Sequence, residues 1–181
     1  MFASEGEVVE QWRSFVPVVR VCAAEWRVFP CCSSPVAVKL HWYKRRSVPC
    51  VASACACPAC VTPPRPLLYL GCRIVTDRET LPVRVLELPV SAWSVVKQQA
   101  SACGGLLRFS FRVFRHGGRR GKVLVDQFEE AEGLELLTVV EVVNALCRLW
   151  NVPAPRVGEL DGEWLTRVGV AIACDGHYQP K

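Results

Sequence analysis

Apolar and polar residues alternate with a period of two along much of the chain, and the alternation predicts strands. Val36–Tyr43 (VAVKLHWY) is the sharpest case: Val36, Val38, Leu40 and Trp42 share one face, and Ala37, Lys39, His41 and Tyr43 share the other. Phe15–Val21 is an apolar, β-branched run that begins at Pro17 or lies at an edge, and Trp26–Phe29 is a shorter candidate. Leu67–Thr76 and Val83–Leu88 flank the polar turn Thr76–Thr80 as a hairpin. A helix is predicted from Ser91 as cap to Cys103, stopped by Gly104-Gly105. In Leu106–Phe114, Leu107, Phe109, Phe111 and Val113 face one way, and Arg108, Ser110, Arg112 and Phe114 the other. A Gly-Gly turn then leads to Lys122–Val125 as the returning strand. Thr138 and Glu141 form a capping-box pattern before Val142–Trp150, and Gly169–Cys174 reads as a last short strand.

These elements predict a mainly β protein of the α+β class. The expected architecture is a five-stranded OB-like barrel with a helix at one end, a metal-loop insertion and a C-terminal helical segment. Residues 1–125 form the expected barrel domain, with the zinc loop at 41–66. Residues 126–181 form an acidic segment with a helix at 138–150.

Charge supports that division. Residues 1–125 carry 18 Lys/Arg against 7 Asp/Glu, a net +11, while residues 126–181 carry 4 against 10, a net −6. Of the basic residues, 17 are Arg, which suits bidentate phosphate contact and stacking on rings. A basic body with an acidic C-terminal segment points to a polyanionic partner for the first part. No apolar run approaches the roughly 20 residues that span a bilayer, so no membrane role is expected. The start, MFASEGEVVEQW, has no secretory pattern, and the 11 cysteines are odd in number and clustered at metal spacing. A reducing, cytoplasmic compartment follows as the expectation.

The candidate chemistry lies in HWYKRRSVPCVASACACPAC, residues 41–60. Cys57-Pro58-Ala59-Cys60 is a Cys-x-x-Cys turn that aims two sulfurs at one ion, and His41 and Cys50 complete a Cys₃His set for Zn²⁺. Four protein ligands leave no position for a catalytic water, so the site is structural. Cys55 is an alternative to Cys50, although one residue between Cys55 and Cys57 makes a poorer chelate. A redox pair is the rival reading, but Pro63, Pro64 and Pro66 follow where a thioredoxin-like helix would begin. Scattered buried thiols are the bland one.

Around this loop stand aromatic and cationic residues of the kind that bind single strands. Tyr43, Lys44, Arg45 and Arg46 lie at its lip, with Trp42 expected in the core with Leu40. Arg108, Arg112 and Phe114 share one strand face, leading to Arg115, Arg119, Arg120 and Lys122 on the hairpin. Together they define the expected nucleic-acid-binding set, with a strand running between the metal loop and that hairpin. No paired carboxylates and no Ser/Cys–His–acid set accompany them, so no enzymatic activity is expected.

The order His41, Cys50, Cys57, Cys60 after a strand of the expected barrel, beside Trp42–Arg46, resembles the zinc-containing single-stranded DNA-binding proteins of T-even-type bacteriophages. The resemblance spans residues 36–125 in motif order and charge layout. It implies an OB-fold, structural zinc, a role in DNA replication, and an acidic C-terminal region that recruits partners. A zinc-organised protein-interaction subunit is the alternative from the residues themselves.

Overall fold

The computed structural model describes residues 16–22, 24–44, 46–50, 57–151, 154 and 170–172. Among the described residues, nine strands form one sheet: β1 (Val18–Arg20), β2 (Trp26–Pro30), β3 (Val36–Tyr43), β4 (Arg46–Pro49), β5 (Arg65–Val75), β6 (Thr80–Pro89), β7 (Phe109–His116), β8 (Lys122–Glu130) and β9 (Val170–Ile172). Two helices accompany them among the described residues, α1 (Val90–Cys103) and α2 (Val139–Trp150). The α+β expectation holds.

The expected OB-like barrel is not seen: among the described residues the sheet is open. The strand path β1-β6-β5-β2-β7-β8 ends without β1 meeting β8. The physical reason lies in β5, which is buried on both faces. Leu68, Leu70, Cys72 and Ile74 enter a core under α1 with Phe109, Phe111, Trp93 and Val96. Tyr69 enters a second core under α2 with Val36, Val38, Leu40, Val142, Leu146 and Trp150. A helix therefore covers each side of an open sheet, whereas a barrel has one interior.

β5 also fixes where the ends of the molecule lie. Its Arg65–Tyr69 half pairs with β3 and its Cys72–Val75 half with β2, both antiparallel, while β6 lines the other edge. The chain turns between β2 and β3 against Gly71, whose carbonyl accepts from the Cys31 N–H at 2.9 Å. A side chain at Gly71 would stand 3.0 Å from both Cys32 Cβ and Leu137 Cδ1. The other edge of β3 carries β9 at Val36–Val38 and β4 at Leu40–Tyr43.

The division expected at residue 125 falls inside β8, which continues to Glu130. An extended strap, residues 131–138, then recrosses the sheet: Gly133 N–H donates to Leu107 O (2.7 Å), and Leu136 and Leu137 N–H to Cys31 O (2.9 Å each). Helix α2 follows with its capping box, Thr138 Oγ1 accepting from Glu141 N–H and the Glu141 carboxylate accepting from Thr138 N–H. It packs on β1, β3, β4 and β5. At α1 the cap is Pro89 rather than Ser91, with no side-chain hydrogen bond, and Gly104 closes the helix in the left-handed region. The expected strand from Leu106 begins at Phe109, because Leu106–Arg108 form a 3-10 turn. None of the helices among the described residues is long and apolar enough to cross a membrane.

Candidate metal centre

His41 sits on β3 one residue past its last pairing with β5, opposite Val48 of β4. Cys50 extends the same hairpin, its N–H donating to Lys39 O at 2.7 Å. Cys57 and Cys60 belong to a single turn closed by Cys60 N–H to Cys57 O at 3.1 Å, with Ala59 buried beneath it. The chain then enters β5. Sheet pairing thus carries two of the candidate ligands, and a tight turn carries the other two.

The four ligand atoms lie within 4.8 Å of one another. Cys50 Sγ is 3.6 Å from Cys60 Sγ, which is 3.4 Å from His41 Nε2. Metal–sulfur bonds of about 2.3 Å and metal–nitrogen bonds of about 2.0 Å give tetrahedral edges of about 3.5–3.8 Å, so one ion fits between these atoms. His41 and Cys50 are buried, Cys57 is half-buried and Cys60 exposed, so the centre opens to solvent on the turn side. His41 Nδ1 is buried with no hydrogen-bond partner among the described residues, and Nε2 is the nitrogen turned towards the sulfurs.

The Cys60 thiol is pushed up to about 11, by desolvation first and then by the Cys50 and Cys57 thiols beside it. A bound cation reverses it, since a coordinating thiol is held deprotonated. Cys55, the alternative ligand, lies outside the described residues.

The nucleic-acid set is not brought together. The metal turn lies beyond the Arg65 end of β5. The β7–β8 hairpin tip lies beyond the Val75 end, because Arg27 faces Val75 on one side and Arg112 on the other. β5 is 11 residues long, so at about 3.3 Å per residue the two ends stand roughly 30–35 Å apart.

Individual residues depart from expectation too. The Arg112 guanidinium makes a bidentate pair with Asp126 (Nε–Oδ1 2.7 Å, Nη2–Oδ2 2.8 Å), reaches Glu25 at 3.1 Å, and lies 4.9 Å over the Phe114 ring. That contact holds the Asp126 carboxyl below its usual range and pushes Arg112 further up. Arg115 donates to Val21 O at 3.1 Å and Gly121 O at 2.8 Å. Neither Arg112 nor Phe114 presents the open surface that phosphate contact or base stacking needs. Arg108 is exposed and lines an open cavity of about 490 Å³ with Phe128, Glu129 and Glu130, a mixed rather than cationic wall. Arg120, Lys122 and Lys44 are exposed. Arg45 and the side chains of Tyr43, Arg46 and Arg119 lie outside the described residues.

Trp42 corrects the sequence reading in the opposite direction. It was expected in the core with Leu40, yet it is 70% exposed. β3 pairs with β5 only as far as Leu40, so Trp42 has β4 as its one neighbouring strand. Val61, directly after Cys60, is 87% exposed and had no sequence signal at all. No protein-family model, curated protein or solved structure matches the chain.

Proposed function

We propose that this chain is a non-enzymatic, single-stranded DNA-binding protein whose binding end is the β3–β4 hairpin, held in shape by a structural zinc ion. One observation carries the reading. Trp42, an indole exposed over 70% of its surface, stands on the strand that supplies His41 and is followed by Tyr43-Lys44-Arg45-Arg46. Exposing a large ring to water forfeits its burial energy, and an aromatic face beside cations is what successive bases stack upon.

Zinc is the metal favoured by three thiolates and an imidazole at tetrahedral spacing. With all four positions filled by side chains, the ion supplies rigidity to the hairpin. Its binding energy is in part folding energy for the hairpin and turn that it joins. The expected OB-like barrel is not needed for this activity. The ligand order shared with the phage proteins supports the zinc and the single-stranded ligand, while the interface proposed here is the hairpin end alone.

The test is binding of an oligothymidine to zinc-loaded protein over a range of salt. Affinity falls with a log–log slope of about −0.7 for each phosphate neutralised on a single strand. Trp42→Ala weakens binding by about 1–3 kcal/mol and leaves the slope nearly unchanged, because stacking releases no counterions. Wild-type affinity in Trp42→Ala, with zinc content intact, refutes the interface.

A second reading has its own observation: Val61 and Trp42 both expose apolar surface beside the metal turn. In that reading the zinc end docks a protein, and the acidic stretch from Asp126 to Glu135 recruits a second one. Absence of oligonucleotide binding even at low salt, with zinc content intact, would favour it.

A further inference from the structure

A second basic surface stands at the far end of the sheet. Residues 115–122 (RHGGRRGK) contain Arg115, Arg119, Arg120 and Lys122 and no acid. Charged hairpin tips are often loosely solvated turns, but this one is built. Gly117 and Gly118 adopt φ of 87° and 74°, which side chains resist, and Gly118–Arg120 form a 3-10 turn closed by Gly121 N–H to Gly118 O at 2.9 Å. A Cβ on Gly121 would stand 1.7 Å from the His116 carbonyl oxygen. Arg115 works inward: its guanidinium ties the Gly121 carbonyl to that of Val21, joining the tip to the end of β1.

One cation therefore fixes the turn while others project from it. Arg120 and Lys122 are exposed and make no ion pair with any described residue. Within a few residues, Arg112 is neutralised by Glu25 and Asp126. The contrast is informative: Arg112 is ion-paired, while Arg120 and Lys122 have no ion-pair partner among the described residues. A rigid cationic finger loses little entropy on meeting a phosphate backbone.

We propose that this tip is a second phosphate-contacting site. The protein then holds two separate segments of single-stranded nucleic acid, one at each end of β5, instead of one strand threaded between them. The proposal rests on the nucleic-acid reading above and adds to it the number of segments bound. Its basis is the separation of roughly 30–35 Å along β5's 11 residues, with the tip reaching beyond that. A tetranucleotide stacked at about 3.4 Å per residue covers about 14 Å, too little to touch both ends. Longer strands held at the two ends are bridged by the protein.

The experiment titrates a fluorescent oligothymidine tetranucleotide into zinc-loaded protein at low salt and counts sites per chain. A companion measurement captures a second labelled strand on a bead-held strand through the protein. The expected results are two tetranucleotides per wild-type chain and one each for Trp42→Ala and the pair Arg120→Glu, Lys122→Glu. Strand-to-strand capture falls to background in both variants. The neutral pair Arg120→Gln, Lys122→Gln gives an intermediate loss, and unchanged zinc content and denaturation midpoint show that the fold is kept. One tetranucleotide per wild-type chain, with the tip variants binding as wild type does, overturns this proposal and leaves the metal-end reading standing. Absence of binding by any strand, short or long, overturns both.

Discussion

Leu146 tests whether α2 is an appendage or part of the core. Its side chain is fully buried in the cluster formed by Val36, Val38, Leu40 and Tyr69 with Val142, Val143 and Trp150. Trp150 closes that cluster edge-on against Tyr69, ring centroids 5.9 Å apart. Leu146→Ala removes buried methyl groups and leaves a cavity that strands on one side and a helix on the other cannot easily fill. The cost is about 2–5 kcal/mol. With a urea slope of about 2 kcal/mol per molar, the midpoint falls by about 1–2.5 M. Val140→Ala is the control on the same helix. Val140 is partly exposed, and its change stays within about 0.5 kcal/mol. Urea denaturation followed by tryptophan fluorescence, at saturating zinc, reads both. A Leu146→Ala midpoint within about 0.2 M of wild type would refute the reasoning, because it would place α2 outside the cooperative core.

Other outcomes follow from the same contacts. Thr138→Ala loses the capping box at the head of α2 and costs about 0.5–2 kcal/mol by urea denaturation; Glu141→Ala loses the reciprocal half. Arg112 holds the Asp126 pKa below its unfolded value, so the pair contributes stability above the usual carboxylate range, and that stability is lost as pH falls through the folded pKa. Asp126→Asn therefore flattens the acid limb of stability against pH, by a modest amount because the pair is partly exposed, and an unchanged limb contradicts the assignment. Gly133→Ala brings a methyl group to 2.7 Å from Leu107 O and 3.2 Å from Pro30 O, so it displaces the strap and costs at least about 1 kcal/mol in the same denaturation assay.

The His/Cys cluster was legible because its information is local. His41 and Cys50 are nine residues apart in number and meet across a hairpin, and Cys57 and Cys60 share one turn. The strands were legible for the same reason, since a two-residue period needs no knowledge of neighbours. What failed was everything that depends on what covers a face. Alternation put Trp42 with Leu40 correctly as to side, but whether that side is buried depends on β5 ending its pairing at Leu40. The apolar run of β5 signals burial without saying that two separate helices provide it, on the two faces of an open sheet. Arg112 read as a phosphate contact because its partners are distant in sequence, Glu25 87 residues away and Asp126 14. Asp126 opens the stretch that composition had assigned to a separate acidic segment.

The central claim is that one metal ion joins His41, Cys50, Cys57 and Cys60 and gives the β3–β4 end its shape. Elemental analysis of the purified chain tests it most directly. The account predicts about one zinc per chain, near-complete loss in His41→Ala, Cys57→Ser and Cys60→Ser, and full retention in Cys55→Ser. A metal-free wild-type protein after purification in zinc-containing buffer, or full zinc in Cys57→Ser, would contradict it.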